Sequence, residues 1–349
     1  MEEKSDDKPL PANRMKVGIV YNLKKGLAGG ADDMEAEYDN PDTVLAIRAA
    51  LEKGGAEVTL FEADETLAER LRGNRPDIVF NIAEGFRGRG REAQIPALLN
   101  LLDIPFTGSD ETALCVALDK TMCKRLLSAF GVRTPRSQVI AGSEDIGAAA
   151  SLHFPLIVKP NAEGSSKGIS DVSIVSDAAE LRRLVEQDLR LYGEPMLAEE
   201  YVDGREFTVG ILGNGKETHV FPPMEIAFRR NTQGDYRVYS FGVKKDYKQY
   251  IDYHCPAALT PAQDGEMRGM ARRAWEALGC RDFTRVDFRM DADGAIYFIE
   301  MNPLPGLAPG YSDFPMLAGF SGVAYDELVL AVLRAGAKRC GLMREEAAQ

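Results

Sequence analysis

Residues 283–307 read FTRVDFRMDADGAIYFIEMNPLPGL, in which two alternating segments stand on either side of the turn residues Asp-Ala-Asp-Gly. This pattern predicts a β-hairpin with strands over 283–290 and 295–301, because side chains alternate between the two faces of a strand. One face is apolar and suits a protein core. It carries Val286, Phe288, Met290, Tyr297 and Ile299.

The other face of the hairpin is polar. If the loop has an even number of residues, Arg285 lies opposite Glu300, and Asp287 and Asn302 share their face. Carboxylate and amide oxygens are hard ligands that suit Mg²⁺, which also binds phosphate oxygens. The hairpin therefore predicts a metal site, although a solvated face with surface ion pairs explains the same residues.

A glycine- and serine-rich loop follows a predicted buried strand in residues 157–170, which read IVKPNAEGSSKGIS. The strand delivers Lys159, and a second lysine, Lys120, lies early in a predicted helix. Inward-turned backbone N–H groups, hydroxyls and two ammonium groups together suit a triphosphate. A loop of this composition alone is often only a turn, and it does not have the Walker A spacing. Residues 88–93 fit G-x-G-x-x-A and offer a Rossmann alternative, against which their place after the third strand argues.

The N-terminal third predicts a parallel α/β unit, with strands over 15–21, 57–61 and 77–81 separated by helices. From about residue 154 the sequence pattern changes, and short predicted strands alternate with glycine turns. This second pattern is typical of mainly antiparallel sheets. The predicted fold class is therefore α/β at the N-terminus, followed by an α+β region.

Composition excludes several classes of function. The chain has 349 residues and a formal net charge of -12, which argues against nucleic acid or an anionic membrane as a partner. Its five cysteines are widely spaced and predict free thiols instead of a disulfide framework or a zinc site. The sequence also contains neither a signal peptide nor a long apolar run, so we expect a cytoplasmic protein.

Four motifs together resemble the D-alanine–D-alanine ligase family of ATP-grasp enzymes, over residues 15–338. They are IPFTGSDETALCVALDK, PLIVKPNAEGSSKGIS, AEEYVDGREFTV and DFTRVDF with FIEMNPLPGL. The resemblance implies an ATP-grasp fold of three domains, with ATP between the last two. The implied segments are a tail (1–13), an N-terminal α/β domain (14–117), a small central domain (118–203), a C-terminal domain with the metal site (204–340) and a second tail (341–349).

The resemblance also implies a role for individual residues. ATP-binding positions are Lys120, Lys159, the flap residues Gly164, Ser165, Ser166 and Lys167, the adenine-contacting Glu199, Glu200, Tyr201 and Val202, and the ribose-binding Glu206. The implied metal ligands are Asp287, Glu300 and Asn302, for Mg²⁺ with Mn²⁺ as an alternative. The implied catalytic positions are Arg285, Gly306, Ser165, Lys244 and Lys245.

The sequence departs from the family where amino-acid substrates bind. The family's Gly-Gly-x-Ser-x-Glu motif is replaced by a longer acidic stretch, in which Glu37 is the best candidate for holding a substrate ammonium. Glu84 stands in place of a histidine, and Ser312 stands where the second substrate's carboxylate would bind. An arginine run, Arg87, Arg89 and Arg91, follows Glu84 and suggests a larger or more anionic substrate.

The resemblance implies an enzyme that forms D-Ala-D-Ala from two D-alanines and ATP through an acyl-phosphate, in peptidoglycan biosynthesis. We also expect small-molecule substrates and a homodimer. The departures favour, as an alternative, a ligase for a different amino acid or peptide. A nucleotide-binding sensor without catalysis is the alternative from another class.

Overall fold

The computed structural model of the chain describes residues 14–24, 38–163, 173–231, 236–239, 243–244 and 246–343. Within them the strands form one parallel and two antiparallel sheets. The strands are β1 Lys16–Tyr21, β2 Glu57–Glu62, β3 Ile78–Asn81, β4 Ser137–Ile140, β5 Leu156–Pro160, β6 Ile174–Val175, β7 Met196–Glu200, β8 Arg205–Leu212, β9 His219–Val220, β10 Met224–Phe228, β11 Ile251–His254, β12 Phe283–Met290 and β13 Ile296–Asn302. The helices are α1 Pro41–Lys53, α2 Leu67–Gly73, α3 Gln94–Leu101, α4 Glu111–Leu118, α5 Lys120–Ala129, α6 Ile146–Ala149, α7 Ala178–Tyr192, α8 Tyr247–Tyr250, α9 Pro261–Leu278, α10 Asp313–Phe320 and α11 Tyr325–Arg339.

The N-terminal sheet has the strand order β2-β1-β3, and both pairings are parallel, as predicted. Its core is completed by the far end of the chain. Ile47 and Leu51 of α1 belong to the same buried cluster as Leu328 and Val332 of α11. The predicted domain boundaries stay a prediction, and this cluster joins the segment before residue 117 to the segment after residue 324.

The second sheet has the order β4-β7-β5-β6 and is antiparallel throughout. Helix α7 covers it with Leu181, Leu184 and Val185. Its ends are set by local chemistry, because the Asp177 side chain accepts two backbone N–H groups at the start, and Gly193 ends the helix with a φ of 65°. This sheet presents β5 and β7 to the third sheet.

The third sheet has the order β11-β10-β8-β12-β13, with β9 paired to β8. Helix α9 covers its apolar face and begins with a capping box formed by Thr260 and Gln263. No single described helix has the length and apolar character needed to cross a membrane. Helices α10 and α11 satisfy that criterion only as a pair, which is bent by 108°.

The β12–β13 hairpin has a different register from the predicted one. Asp287, not Arg285, lies opposite Glu300, and Arg285 lies opposite Asn302, because the register shifts after Asp287. A bulge of this kind turns the following side chains to the other face of the strand.

The core face of β13 is therefore Ile296, Phe298 and Met301, and the predicted core positions Tyr297 and Ile299 are wrong. Ile299 lines a pocket instead. The four polar residues of the hairpin keep one common face.

Candidate active site

Two pockets meet at the polar face of β12 and β13. The strand-lined pocket is bounded by β5, β7, β8, β12 and β13. The loop-lined pocket is bounded by Lys24, Tyr38 and Asn40 and by the segments 84–92 and 301–312. Among the described residues, three line both pockets: Lys244, Arg285 and Glu300. A group transferred from a ligand in one pocket to a ligand in the other would pass these three side chains.

The strand-lined pocket has a buried lysine pair at its base. Glu199 is 1% exposed, with one carboxylate oxygen 2.6 Å from Lys159 Nζ and the other 2.9 Å from Lys124 Nζ. Burial alone would raise the pKa of Glu199, but the two lysines outweigh it and lower that pKa to about 2. Lys124 also donates to the Ile299 carbonyl at 2.6 Å. The chain thus holds Lys159 in place at the pocket before any ligand arrives.

The opposite wall of the strand-lined pocket carries Glu206. Arg289 Nη1 lies 3.1 Å from a Glu206 carboxylate oxygen, and Arg289 Nη2 donates to the Tyr201 hydroxyl at 3.1 Å. Burial raises the pKa of Glu206 to about 7, although Arg289 opposes the shift. The Arg289 guanidinium also stacks over the Tyr201 ring, 4.8 Å from its centroid. The neighbouring Arg205 is not the partner of Glu206, because the Arg205 side chain pairs with Glu225 at 2.6 Å.

The segment between β7 and β8 forms the edge of this pocket, and Glu200, Tyr201 and Val202 all line it. The N–H groups of Glu200 and Tyr201 already donate to the carbonyls of Arg136 and Pro155. The Glu200 side chain turns to His153 and Arg136. The Val202 N–H is therefore the remaining backbone donor of this segment.

The polar face of the hairpin lies between the pockets. Arg285 Nη2 is 2.8 Å from an Asp287 oxygen, and the other Asp287 oxygen accepts from Thr208 at 2.7 Å. The Asn302 amide donates to Asp287 at 3.2 Å. Burial raises the pKa of Asp287 even beside Arg285.

Glu300 faces the cations of both pockets. Lys120 Nζ lies 3.8 Å from its carboxylate and also donates to the Glu163 carbonyl. Burial by itself would raise the pKa of Glu300, but Lys120 and Lys159 outweigh it, and the pKa is lowered. Glu300 is therefore held ionised at the junction of the two pockets.

The donor set of this face suits a magnesium ion. The described residues contain no group of three or more His, Cys, Asp or Glu side chains able to hold a metal. Asp287 and Glu300 nevertheless stand directly opposite each other, with the Asn302 amide beside them. Two carboxylates and an amide oxygen are enough for Mg²⁺, which fills its remaining positions with water and phosphate oxygens.

The loop-lined pocket contains Glu84, Glu92, Lys120, Gly306 and Ser312. A Cβ on Gly306 would lie 2.8 Å from the Ser312 hydroxyl, so only glycine fits there without displacing it. The Ser312 hydroxyl accepts from the Ala308 N–H at 3.1 Å and directly precedes α10. Glu84 and Ser312 thus line the same pocket.

Several predicted site residues lie outside the described residues: Glu37, Gly164, Ser165, Ser166, Lys167 and Lys245. Of the lysine pair before α8, Lys244 lines both pockets. Burial lowers its pKa, and the Asp313 carboxylate opposes that shift.

The arginine run does not line the loop-lined pocket. Arg91 is buried, donates to the Ala162 carbonyl at 2.8 Å and lies 2.9 Å from Glu163. Arg89 pairs with Asp119 at 2.9 Å. Together with Arg87 they border a neighbouring cleft. Arg91 joins the turn after β3 to the chain that leaves β5.

Sequence reasoning missed Lys124, Arg289 and Asp313. A signal existed for the first two, because Lys124 lies one helical turn after Lys120, and Arg289 shares the face of Asp287 on β12. Asp313 had no local signal. Its partners come from three other segments of the chain.

Comparison with known proteins gives consistent matches over nearly the whole chain. The family model described as D-ala D-ala ligase C-terminus matches residues 133–334. D-alanine--D-alanine ligase of Cupriavidus necator is 32% identical over 326 residues, 93% of each chain. The enzyme of Stutzerimonas stutzeri is 34% identical over 289 residues, covering 82% of this chain and 86% of the relative.

Solved structures agree with the sequence matches. The structure of D-alanine--D-alanine ligase from Bacillus anthracis complexed with ATP superposes with a TM-score of 0.72 at 21% sequence identity. The match covers 94% of this chain and 99% of the other. This likeness confirms the predicted ATP-grasp fold.

Proposed function

This chain belongs to the D-alanine–D-alanine ligase family, and we propose that it joins two D-alanine molecules with ATP, giving D-Ala-D-Ala, ADP and phosphate. The observation that carries the proposal is the junction of the two pockets at Lys244, Arg285 and Glu300. ATP occupies the strand-lined pocket and the amino acids occupy the loop-lined pocket. The γ-phosphate then lies where the pockets meet.

The strand-lined pocket suits each part of ATP. Tyr201 and the Val202 backbone contact adenine, and Glu206 accepts hydrogen bonds from the ribose hydroxyls. Lys159 and Lys120 bind phosphate oxygens. The Lys124–Glu199 pair supports this arrangement, because it fixes Lys159 at the pocket base.

Asp287, Glu300 and Asn302 would hold Mg²⁺, with Mn²⁺ as a substitute. Such an ion would neutralise negative charge on the phosphate oxygens during phosphoryl transfer. The pairing of Asp287 with Glu300 across the hairpin supports this assignment, since both carboxylates face the pocket junction.

The reaction has two steps. A carboxylate oxygen of the first D-alanine attacks the γ-phosphorus, and the bond to ADP breaks, which gives an acyl-phosphate. The neutral amine of the second D-alanine then attacks the acyl carbon, and phosphate leaves as the amide forms. Arg285 and the Gly306 N–H stabilise the negative oxygen of the tetrahedral intermediate, and Lys244 neutralises the transferred phosphoryl group.

In the loop-lined pocket, Glu84 and Glu37 bind the ammonium of the first substrate, and Ser312 binds the carboxylate of the second. A second candidate function keeps the mechanism but changes the substrates. The position of Glu84 in this pocket favours it, because the family has a histidine at that point of the sequence.

Other finer assignments follow from the family. The product serves peptidoglycan biosynthesis, the enzyme is a cytoplasmic homodimer, and its ligands are small molecules instead of nucleic acid or membrane. The net charge of -12 supports the last statement.

Phosphate release with ATP and Mg²⁺ tests the proposal against a panel of D- and L-amino acids, singly and in pairs. We expect release with D-alanine alone and a D-Ala-D-Ala product by mass spectrometry. Release only with another acid and amine would replace the substrates and keep the mechanism. Absence of release with every pair would contradict the proposed function.

A further inference from the structure

Asp313 is a buried carboxylate that belongs to neither pocket surface but touches the groups around their junction. It is the first residue of α10 and is 1% exposed. One of its oxygens accepts from the hydroxyls of Tyr253 at 3.2 Å and Tyr239 at 3.3 Å. The other lies 3.3 Å from Arg285 Nη1. A carboxylate at such depth requires several partners, and here they come from three different segments.

The two tyrosines attach a particular segment of the chain. We use the term strap for the described residues 236–239, 243–244 and 246–250, which include Lys244. Before Lys244, the Tyr239 hydroxyl donates to Asp313 and lies 2.9 Å from the Tyr253 hydroxyl. After Lys244, the Tyr247 hydroxyl donates to the Gly310 carbonyl at 3.0 Å. The strap is thus fastened on both sides of Lys244 to β11 and to the residues around the start of α10.

The tyrosines act as neutral donors. Burial, reinforced by the Asp313 charge, raises the pKa of Tyr239 and of Tyr253 well above the ordinary range. Both hydroxyls therefore keep their protons at physiological pH. The strap stays bonded to Asp313 as long as that side chain can accept.

Arg285 is held from two sides. Asp287 pairs with it through two close contacts, at 2.8 and 3.0 Å, and Asp313 holds a different guanidinium nitrogen. Asp287 is also the carboxylate we assign to the metal. A carboxylate that shares its oxygens with a cation holds a guanidinium less firmly, so a second anionic anchor keeps Arg285 in place.

We propose that Asp313 is a positioning residue that aligns Arg285 and the Lys244 strap together at the junction of the two pockets. The alignment of Arg285 rests on the proposed function, because it concerns the group that stabilises the tetrahedral intermediate. The attachment of the strap rests on the described contacts alone. A single side chain thereby sets the relative position of two cationic groups that come from different parts of the chain.

Two substitutions separate the effect of Asp313 on Arg285 from its effect on the strap. Asp313→Asn keeps an acceptor for the tyrosines but loses the charge that faces Arg285. We expect kcat to fall about 10- to 100-fold, because displacement of a catalytic group by about 1 Å has an effect of this size. KM for ATP should stay within about twofold of its wild-type value. Asp313→Ala removes the contacts with Arg285 and with both tyrosines, and amide hydrogen exchange in the strap should also rise by about tenfold.

Asp282→Asn is the matched control. Asp282 is likewise a fully buried aspartate paired with an arginine, Arg339 at 2.8 Å, but it lies outside both pockets. Its φ of 64° suits asparagine, so the backbone is preserved. For Asp282→Asn we expect a lower melting temperature and an unchanged kcat of the folded enzyme. For Asp313→Asn we expect a lower kcat and an unchanged melting temperature.

A double-mutant cycle with Arg285→Lys completes the test. If Asp313 acts through Arg285, Asp313→Asn causes little further loss of kcat in the Arg285→Lys background. Unchanged kcat in Asp313→Asn, or unchanged strap exchange in Asp313→Ala, would overturn the proposal. If the wild-type chain forms no dipeptide, the proposed function fails by itself, and the exchange measurement still decides the role of Asp313.

Discussion

The two pockets differ in how the chain builds them. The strand-lined pocket takes its residues from regular strands of two sheets, and its charges are already paired: Glu199 with two lysines, and Glu206 with Arg289. The loop-lined pocket takes most of its residues from the connections after β1, β3 and β13. One pocket is preorganised by sheet geometry, and the other is defined by connections.

This difference explains where the sequence follows the family and where it departs. A residue on a strand between two sheets is fixed by its neighbours on both sides, so a change there disturbs the pairing of several charges. A loop can change length and charge while its ends stay in place. Substrate identity is therefore free to change while the nucleotide chemistry stays the same.

The largest expected effect is at the shared face of the two pockets. Asp287→Asn removes a proposed metal ligand and a partner of Arg285, and we expect kcat to fall about 1,000-fold because charge stabilisation in the transition state is lost. ATP binding, measured by calorimetry, should survive in part. Unchanged turnover would contradict the metal assignment, and ATP binding without turnover in the wild type would favour a sensor.

The strand-lined pocket should also be the more important for stability. Glu199→Gln leaves two buried lysines without their common partner, so we expect a loss of about 3–5 kcal/mol in urea unfolding at pH 7. The lowered pKa of Glu199, about 2 against an ordinary value of 4.5, gives the pH dependence. Its contribution is present above pH 4.5 and is lost as the pH falls towards 2, so the two proteins should converge in acid. A difference that grows in acid would refute this account.

Glu206→Gln and Glu84→Gln apply the same chemical change to the two pockets. We expect Glu206→Gln to raise KM for ATP about tenfold, because a hydrogen bond to a charged group is lost. Glu84→Gln should raise KM for the amino acid by a similar factor and leave KM for ATP unchanged. A shift of both constants in either variant would mean that the two pockets are not independent.

The raised pKa of Glu206, about 7, makes ATP affinity depend on pH. Protonation below that value removes acceptors for the ribose hydroxyls, so affinity should increase as the pH rises through 7. The same raised pKa stabilises the folded chain at low pH, an effect that is present below the ordinary pKa of 4.5 and is lost as the pH rises through 7. Comparing pH profiles of wild type and Glu206→Gln cancels the titration of ATP itself.

The smallest effect is expected at the arginine run. Arg87 borders the neighbouring cleft and not the loop-lined pocket, so Arg87→Ala should change each KM by less than about twofold. A larger change in KM for the amino acid would restore the hypothesis of an extended anionic substrate.

Strand periodicity was sufficient to predict the polar face of the hairpin, but not its register. The loop between β12 and β13 spans residues 291–295, an odd number, and a further shift follows Asp287. Neither feature leaves a mark in the alternation of side chains. The assignment of Ile299 to the core failed for this reason, although the four polar residues were correctly grouped.

Contacts between distant segments set the other limit. Arg289 could have been found from the alternation that places Arg285, Asp287 and Arg289 on one face. Asp313 could not, because its partners Tyr239, Tyr253 and Arg285 lie 74, 60 and 28 positions away. Periodicity predicts which side chains share one face of a helix or strand, but only the assembled fold determines which residues those side chains contact.

The packing of α11 on α1 sets the timing of folding during synthesis. The ion pair between Lys53 and Asp326 joins residues 273 positions apart, and the part of α1 that packs on α11 stays uncovered until α11 has left the ribosome. The first sheet to be translated is therefore among the last to be completed, because its hydrophobic surface must wait for the final helix.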